Sequence, residues 1–380
     1  MFMPASSYRC LGLFATGQTQ QLKRPMQDQA ICLQRENGKT LQLATSKQSA
    51  AVSAVPLDVR VALLRQYGSA SQSYSATFQP GLQHFGDERG FIAYKMQWGT
   101  AMVLSDPVAP EANFGDLIGR FLRQHADGAF WNISRRVADV LAPLGFSVNE
   151  MGPDSWIDLT SYDFKGAKKQ NLRTATNRMI SGGFVTRESS LAEAGPDDVQ
   201  RVSDAWRRTR QNHNRETAFL NRPLVLAEEL DVRRFFTFDR DGKLVAFQFF
   251  DPIYSAGDIV GYMSQHSRHL PEADAAVHVA IKRTAIETFQ KEGKKYLCLG
   301  LSPFADIEDK DFANYRSWLV QRSFRFAYAN RLFNRYVYAV QGLDTHKRVF
   351  RGTPRQTYCA MNTGPSLPRI AKLMVACNVV

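Results

Sequence analysis

Residues 233–252, RRFFTFDRDGKLVAFQFFDP, open the stretch that decides the fold, and DIVGYMSQHS (258–267), ADAAVHVAIKRTAIETFQKEG (273–293) and KYLCLGLSP (295–303) complete it. The first segment is two β-rich runs around Asp241-Gly242, a pair that favours the positive φ of a tight hairpin turn. The second reads as a strand. The third carries apolar residues at helical spacing and stops at Gly293. The fourth is apolar nearly throughout, the pattern of a strand covered on both faces. Hairpin, strand, helix, strand is therefore the expected order.

Moving outward, the first half shows the same order with little sequence in common. GFIAYKMQWGTAMVLSDPV (90–108) reads as a hairpin about Gln-Trp-Gly. FGDLIGRFLRQHADG (114–128) places Phe114, Leu117, Ile118, Phe121 and Leu122 on one helical face. GAFWNIS (128–134) and SWIDL (155–159) are strands, with the helix SRRVADVLAPLGF (134–146) between them, from Ser134 to Gly145. LDVRVALLRQYG (57–68) is an amphipathic helix using Val59, Leu63 and Leu64, and DDVQRVSDAWRRTRQNH (197–213) is another helix. The repeated order is similar to that of Gcn5-related N-acyltransferases. The expected class is α/β (mixed α+β), with two acyltransferase-like lobes in tandem. The expected organisation is a flexible polar extension over 1–55, an N-terminal lobe over 56–180, and a C-terminal lobe with the active site over 181–380.

The whole chain of 380 residues is long for one core, and 44% hydrophobic with 22% charged residues is ordinary globular usage. Lys plus Arg number 48 against 36 Asp plus Glu, a net +12 that draws polyanions such as nucleic acid or an anionic membrane. The same surplus on an unpartnered surface would serve solubility alone. Cys10, Cys32, Cys298, Cys359 and Cys377 form no C-x-x-C pair, which argues against a disulfide framework or a zinc site and for a reducing cytoplasm. No run approaches the roughly 18 apolar residues that span a bilayer. The start, MFMPASSYRCLGLFATG (1–17), lacks a signal-peptide core.

Basic residues gather in SYDFKGAKKQNLRTATNRMISGG (161–183). A helix capped by Asp163 would set Lys165, Lys169 and Arg173 on one face, with Lys168 and Arg178 nearby and Leu172, Ala175 and Met179 packed beneath. Such a face is either solvated or a phosphate contact. Arg207, Arg208, Arg210 and Arg215 form a second cluster around Trp206. The junction GYMSQHSRHLPEADAAVHV (261–279) holds Gln265, His266, Arg268, His269, Glu272 and His278. Coenzyme A users carry a glycine-rich pyrophosphate loop at such a junction. Here no glycine follows Gly261 until Gly293, which counts against a coenzyme A donor. The histidines lack metal-ligand spacing, so no metal is expected. No nucleophile elbow, Walker loop or dinucleotide fingerprint occurs.

The chain resembles the phosphatidylglycerol lysyltransferase C-terminal domain family, the cytosolic catalytic part of the multiple peptide resistance factors, from about Pro56 to Met361. The stretches that carry this are AMVLSDPVAP (101–110), WIDLTSYDFKGAKKQNLRTATNRMISGGF (156–184), FLNRPL (219–224), LVAFQFFDP (244–252), YLCLGLSPFADIE (296–308) and GLDTHKRVF (342–350), in the family's order. The resemblance implies two fused acyltransferase-like lobes and transfer of an aminoacyl group from charged tRNA to phosphatidylglycerol, without metal or coenzyme A. It implies a location in the cytoplasm, peripheral at the inner membrane face. Two departures stand out. Family members usually carry a membrane-embedded N-terminal part, which this sequence does not contain. The family's Asp-x-x-Arg reads Gln265-His266-Ser267-Arg268, and a family acid further along reads His278.

On this reading Arg268, Gln265, His278 and Lys347 are the catalytic candidates. Glu272, Ser302, Asp306 and Arg222 are the substrate-binding candidates, and Lys165, Lys168, Lys169, Arg173 and Arg178 the tRNA or phosphate contacts. Aminoacyl-tRNA and an anionic phospholipid are the expected partners, and no cofactor is expected. The rival readings are an N-acyltransferase using coenzyme A or a carrier protein on a small amine, and a tRNA- or membrane-binding protein without catalysis.

Overall fold

A computed structural model describes residues 55–211, 215–362, 364 and 366–380. The extension expected over 1–55 lies outside these residues except for Val55.

Eleven strands form one sheet. In chain order they are β1 (Gln83–Asp87), β2 (Gly90–Gln97), β3 (Thr100–Leu104), β4 (Gly128–Ile133), β5 (Ser147–Asp158), β6 (Val185–Glu188), β7 (Arg233–Phe238), β8 (Leu244–Ser255), β9 (Asp258–His269), β10 (Tyr296–Leu301) and β11 (Thr353–Met361). Across the sheet they run β1-β2-β3-β4-β11-β5-β10-β9-β8-β7-β6. Every neighbouring pair is antiparallel except β3–β4 and β9–β10. Each parallel pair needs a crossover, and each crossover contains a helix: Phe114–Gln124 between β3 and β4, Val277–Lys291 between β9 and β10. The order expected of a Gcn5-type lobe thus occurs twice, and the two series join in one sheet through β5 and β10.

The elements form where the sequence pattern placed them. Gly242 turns the β7–β8 hairpin with φ 76°, and Gly293 ends the crossover helix region with φ 71°. Helix Val277–Lys291 buries Val277, Ile281, Ile286 and Phe289 against Phe235, Phe250, Tyr262 and Leu297. Phe289 stacks on Tyr262 with ring centroids 4.3 Å apart. Removing that ring would cost about 3–5 kcal/mol through lost transfer energy and a cavity. One polar residue, Lys282, is buried on the same helix.

Two features differ from the sequence reading. The chain after Gly342 contains β11 as well as a helix, and β11 lies between β4 and β5, strands of the first half. Its first three residues are exposed and its last five buried, so no regular alternation marks it. The basic segment also folds differently. Its helix is Gln170–Ser181, preceded by a single 3-10 turn at Ala167–Lys169. Asp163 accepts from the backbone N–H of Lys165 at 2.9 Å, closing a local turn rather than capping the helix. Lys165, Lys169 and Arg173 therefore share no helical face. Leu172 and Met179 are buried as expected.

Candidate functional site

Parallel strands β9 and β10 pair at Tyr296↔Gly261, Leu297↔Tyr262 and Cys298↔Met263, and there the pairing stops. Beyond it a cavity of about 1180 Å³ lies between them. A regular strand sends alternate residues to one face. Here Ser264, Gln265, His266, Ser267, Arg268 and His269 all line the cavity. A bulge explains this. Phe247 pairs with Arg268 and Phe249 with Gln265, so Gln248 alone faces two residues, His266 and Ser267. His266 takes φ 25°, and the local twist re-aims its neighbours. On β10 the irregular step is Gly300, with φ 81°.

The charge of the lining is one-sided. Arg210, Arg268, Lys282, Arg322, Arg325 and Lys347 line the cavity, and no Asp or Glu does among the described residues. Arg268 is buried and donates through both terminal nitrogens to Glu216, one bond at 3.1 Å, and also to Ser203. Its guanidinium lies 5.1 Å from the Trp206 ring centroid, with Arg210 at 4.3 Å from the same ring. Glu216 is the acid that the sequence reading missed. Glu272 and Asp306, two of the substrate-binding candidates, neither line the cavity nor pair with Arg268. Glu272 stands exposed on the loop, and Asp306 pairs with Arg348 at 2.7 Å.

A chain of polar groups runs through the cavity floor. Lys282 donates to Gln248 Oε1 at 3.1 Å. Ser267 Oγ lies 3.5 Å from the same oxygen and 2.8 Å from His278 Nδ1. His278 Nε2 lies 2.8 Å from His269 Nδ1. Burial pushes the Lys282 ammonium down to about 7, and neighbouring Lys347 adds to the shift. Burial likewise lowers Lys347 to about 8, against the pull of Asp154, Cys298 and Asp344. His346 is held down to about 3 by burial, Lys282 and Lys347. Burial, then Lys282 and the adjacent histidines, holds His278 well below its ordinary value. The site therefore presents uncharged imidazoles and two amines that titrate near neutrality. His266 adds a buried Nε2 with no partner.

Gln265, Arg268, His278 and Lys347 thus converge on one cavity. Gln265 reaches Ser75 Oγ at 3.4 Å, and Lys347 donates to the backbone oxygen of Leu301. Lys282 and His346 join them without having been singled out in the sequence. Lys282 is four residues after His278 on an otherwise apolar helix face, and that was the available signal.

The other candidates lie elsewhere. Arg222 does not line the cavity. It is buried between Asp251, at 2.7 and 2.9 Å, and Glu229, at 2.5 Å. Such a triad leaves its guanidinium committed, and breaking it would strand a buried charge. Ser302 is buried beside the cavity wall, its N–H bonded to the Pro153 oxygen at 2.9 Å. None of Lys165, Lys168, Lys169, Arg173 and Arg178 lines the cavity. Lys169 sits 3.7 Å from the Tyr162 ring centroid and 3.7 Å from Asp163 Oδ1. Arg173 bonds the carbonyls of Phe164 and Gly166, both at 2.7 Å. Arg178 pairs with Asp274 at 2.8 Å. Lys165, Lys168 and Arg178 are exposed, and of these Lys165 and Lys168 have no carboxylate partner among the described residues.

Asp274 has a second role. Its Oδ1 accepts from the Ala276 N–H at 2.8 Å, at the start of helix Val277–Lys291. A carboxylate thus occupies the helix end where a coenzyme A enzyme would bind pyrophosphate.

Comparison with known proteins gives a consistent likeness. The profile of the family described as "Phosphatidylglycerol lysyltransferase, C-terminal" matches residues 61–361. A phosphatidylglycerol lysyltransferase of Staphylococcus epidermidis is 22% identical over 293 residues, which is 73% of this chain and 33% of that protein. One from Bacillus subtilis is 24% identical over 275 residues, 70% of this chain and 30% of that protein. The chain spans about a third of the length of these relatives. Among solved structures, L-PGS from Bacillus licheniformis superposes with TM-score 0.67 at 19% identity, covering 85% of this chain and 96% of that one. A C-terminal domain from Agrobacterium fabrum, named for a lysylphosphatidylglycerol synthetase, superposes with TM-score 0.68 at 19% identity, covering 85% and 98%. These two likenesses show the fold, a mixed α/β architecture. With its profile match running from helix Leu57–Tyr67 to the last residue of β11, the chain belongs to the phosphatidylglycerol lysyltransferase C-terminal family.

Proposed function

We propose that this chain transfers an aminoacyl group from aminoacyl-tRNA to a head-group hydroxyl of an anionic phospholipid of the phosphatidylglycerol kind. The observation that carries this is the cavity itself: the cations Arg210, Arg268, Arg322, Arg325 and Lys347 line it, no carboxylate does among the described residues, and Lys282 and the imidazoles of its floor are bases that burial keeps easily discharged. A cationic lining suits a phosphodiester acceptor and the terminal phosphates of an RNA. The names of the related proteins support the same acceptor.

The reaction needs no redox partner. The acceptor hydroxyl attacks the aminoacyl ester carbon and gives its proton to an uncharged amine or imidazole, for which Lys282 and His278 are placed. The tetrahedral oxyanion develops beside the cations Lys347 and Arg268. On collapse a new ester bond forms to the acceptor oxygen. The bond to the ribose oxygen breaks, and that oxygen takes the proton back. Gln248 Oε1 accepts from both Lys282 and Ser267, and Ser267 reaches His278, so one hydrogen-bonded network orients the two bases.

The absence of a lining carboxylate among the described residues also bears on the donor. A lysyl group would bring two ammonium charges into a cationic cavity. A neutral aminoacyl group would bring one, and this is the donor class we propose. Coenzyme A is disfavoured by the Asp274 cap described above.

The test is incubation with a panel of charged tRNAs, lysyl and neutral, and vesicles containing phosphatidylglycerol, followed by mass spectrometry of the lipids. Aminoacyl-phosphatidylglycerol bearing a neutral residue is expected. Consumption of acetyl-coenzyme A with no lipid product would replace this reading with the small-amine acyltransferase.

A further inference from the structure

Residues 312–343, FANYRSWLVQRSFRFAYANRLFNRYVYAVQGL, contain five arginines and no acidic residue. They fold mainly as two helices, Trp318–Ala329 and Arg331–Tyr336, with Asn330 capping the second at Phe333 N, 2.9 Å away. The inner face is held by Val320 and Phe324, both buried, and Phe324 stacks on Phe304 at 4.5 Å between centroids. The outer face is unusual. Trp318 is 64% exposed, Phe326 65%, Leu332 66% and Tyr336 61%. With Tyr315 and Leu343 they make six of the fifteen exposed large hydrophobics among the described residues, within a single short stretch.

Trp318, Arg322, Arg325, Phe326 and Ala329 recur at three- and four-residue spacing, so they share one helical face. Arg331, Leu332, Arg335 and Tyr336 continue the mixture on the next helix. None of Arg316, Arg322, Arg325, Arg331 and Arg335 is paired with a carboxylate among the described residues. Some exposed arginines elsewhere are paired, Arg135 with Asp311, Arg136 with Glu111 and Arg178 with Asp274, while others such as Arg123 and Arg240 are scattered singly away from this face. This face is also the rim of the cavity, since Arg322, Arg325, Phe326 and Leu343 both line it and stand exposed.

We infer that this two-helix face docks on the surface of an anionic bilayer and sets the cavity mouth against the lipid head groups. The chemistry of the face selects that partner. Unpaired arginines are attracted to anionic head groups, and exposed aromatic and aliphatic side chains gain by entering the acyl boundary. RNA would use the arginines and could stack on Trp318, but it offers nothing to Leu332. The segment lies in the interface rather than across the membrane. Among the described residues no helix is long and apolar enough to cross one. The purpose of docking rests on the proposed function above; the docking itself does not.

The test uses the full chain and two double variants away from the cavity lining, Trp318→Ser with Leu332→Ser and Arg331→Glu with Arg335→Glu. Partitioning is measured by sedimentation with phosphatidylcholine vesicles, with and without phosphatidylglycerol, in the absence of tRNA. Thermal melts and transfer to a short-chain, monomeric phosphatidylglycerol check that the variants are intact. Each variant is expected to lose at least about tenfold in partitioning to the anionic vesicles, with the arginine pair losing most at low salt. Partitioning equal to wild type in both variants would overturn the inference. So would a loss of tRNA gel-shift affinity with vesicle binding unchanged, which would make the face an RNA contact. If vesicle binding falls in the variants while no charged tRNA ever yields product, docking is supported and the transfer reading fails.

Discussion

Arg268 on β9 donates both terminal nitrogens to the carboxylate of Glu216, 52 residues earlier in the chain. The family pattern would set an acid three residues before this arginine, and Gln265 stands there instead. Glu216 supplies the carboxylate from another segment, outside the cavity lining, and fixes the arginine fork beside the Trp206 ring.

This pairing makes unequal demands on its members. Glu216→Ala leaves a nearly buried guanidinium without its counter-charge and should destabilise the fold by about 3 kcal/mol in a urea titration. Arg268→Lys keeps the charge but loses the fork, so it should melt close to wild type and lose at least tenfold in kcat. Wild-type turnover by Arg268→Lys would show that the arginine is structural only.

Transfer should follow a bell between about pH 6 and 9. Lys282, lowered to about 7, accepts a proton only once it has lost its own, whereas Lys347, lowered to about 8, stabilises the oxyanion only while it keeps its charge. The two amines influence one another, so the rate profile reports the pair. Lys282→Met should flatten the lower limb and reduce kcat by about 10²- to 10³-fold. A bell centred below pH 6 would exclude an amine base.

The same lysines link stability to pH. Folded, Lys282 binds fewer protons than the unfolded chain between about 7 and its ordinary value of 10.5. Stability therefore climbs with pH through that window, and the full burial penalty applies below it. Lys282→Met should be more stable than wild type at pH 6, by on the order of 2 kcal/mol, with the gap closing by pH 10. Melts at the two pH values measure it directly.

Gly300 should resist substitution. Its φ of 81° disfavours any side chain, and a Cβ would stand 3.3 Å from Met263 Cε and 3.8 Å from Lys347 Nζ. Gly300→Ala should cost about 1–2 kcal/mol through the left-handed backbone. It should also lower kcat by straining the β10 backbone and pressing on Met263 in the cavity wall, while vesicle partitioning stays unchanged.

Donor choice can be shifted at Gln265. Gln265→Glu would restore a carboxylate to the lining, and the ratio of kcat/KM for lysyl over neutral aminoacyl donors should increase about tenfold or more. An unchanged ratio would place donor discrimination elsewhere. Reversing Lys165 and Lys168 together should weaken tRNA binding and reduce the magnitude of the salt slope by about one to two. Arg178→Glu serves as the contrast, because its charge is already matched by Asp274.

The local elements were written in the sequence. Asp241-Gly242, the apolar run 296–301 and the period of 277–291 each record which face is covered, and β7–β8, β10 and the crossover helix follow. The order of these elements pointed to the fold, and the resemblance to the family brought Gln265, Arg268 and His278 under suspicion. Periodicity does not record which covered face meets which. The insertion of β11 between β4 and β5 depends on pairing across some 200 residues, as in Thr357 Oγ1 bonding the Gly152 oxygen. Lys282 and Lys347 acquire their lowered pKa values only because separate elements bury them side by side. Arg178 and Arg222 looked available as phosphate and substrate contacts until folding delivered Asp274, Asp251 and Glu229 to them. Charge can be counted along a chain, but whether a charge is free depends on distances that only the tertiary structure sets, because Coulomb energy follows separation in space.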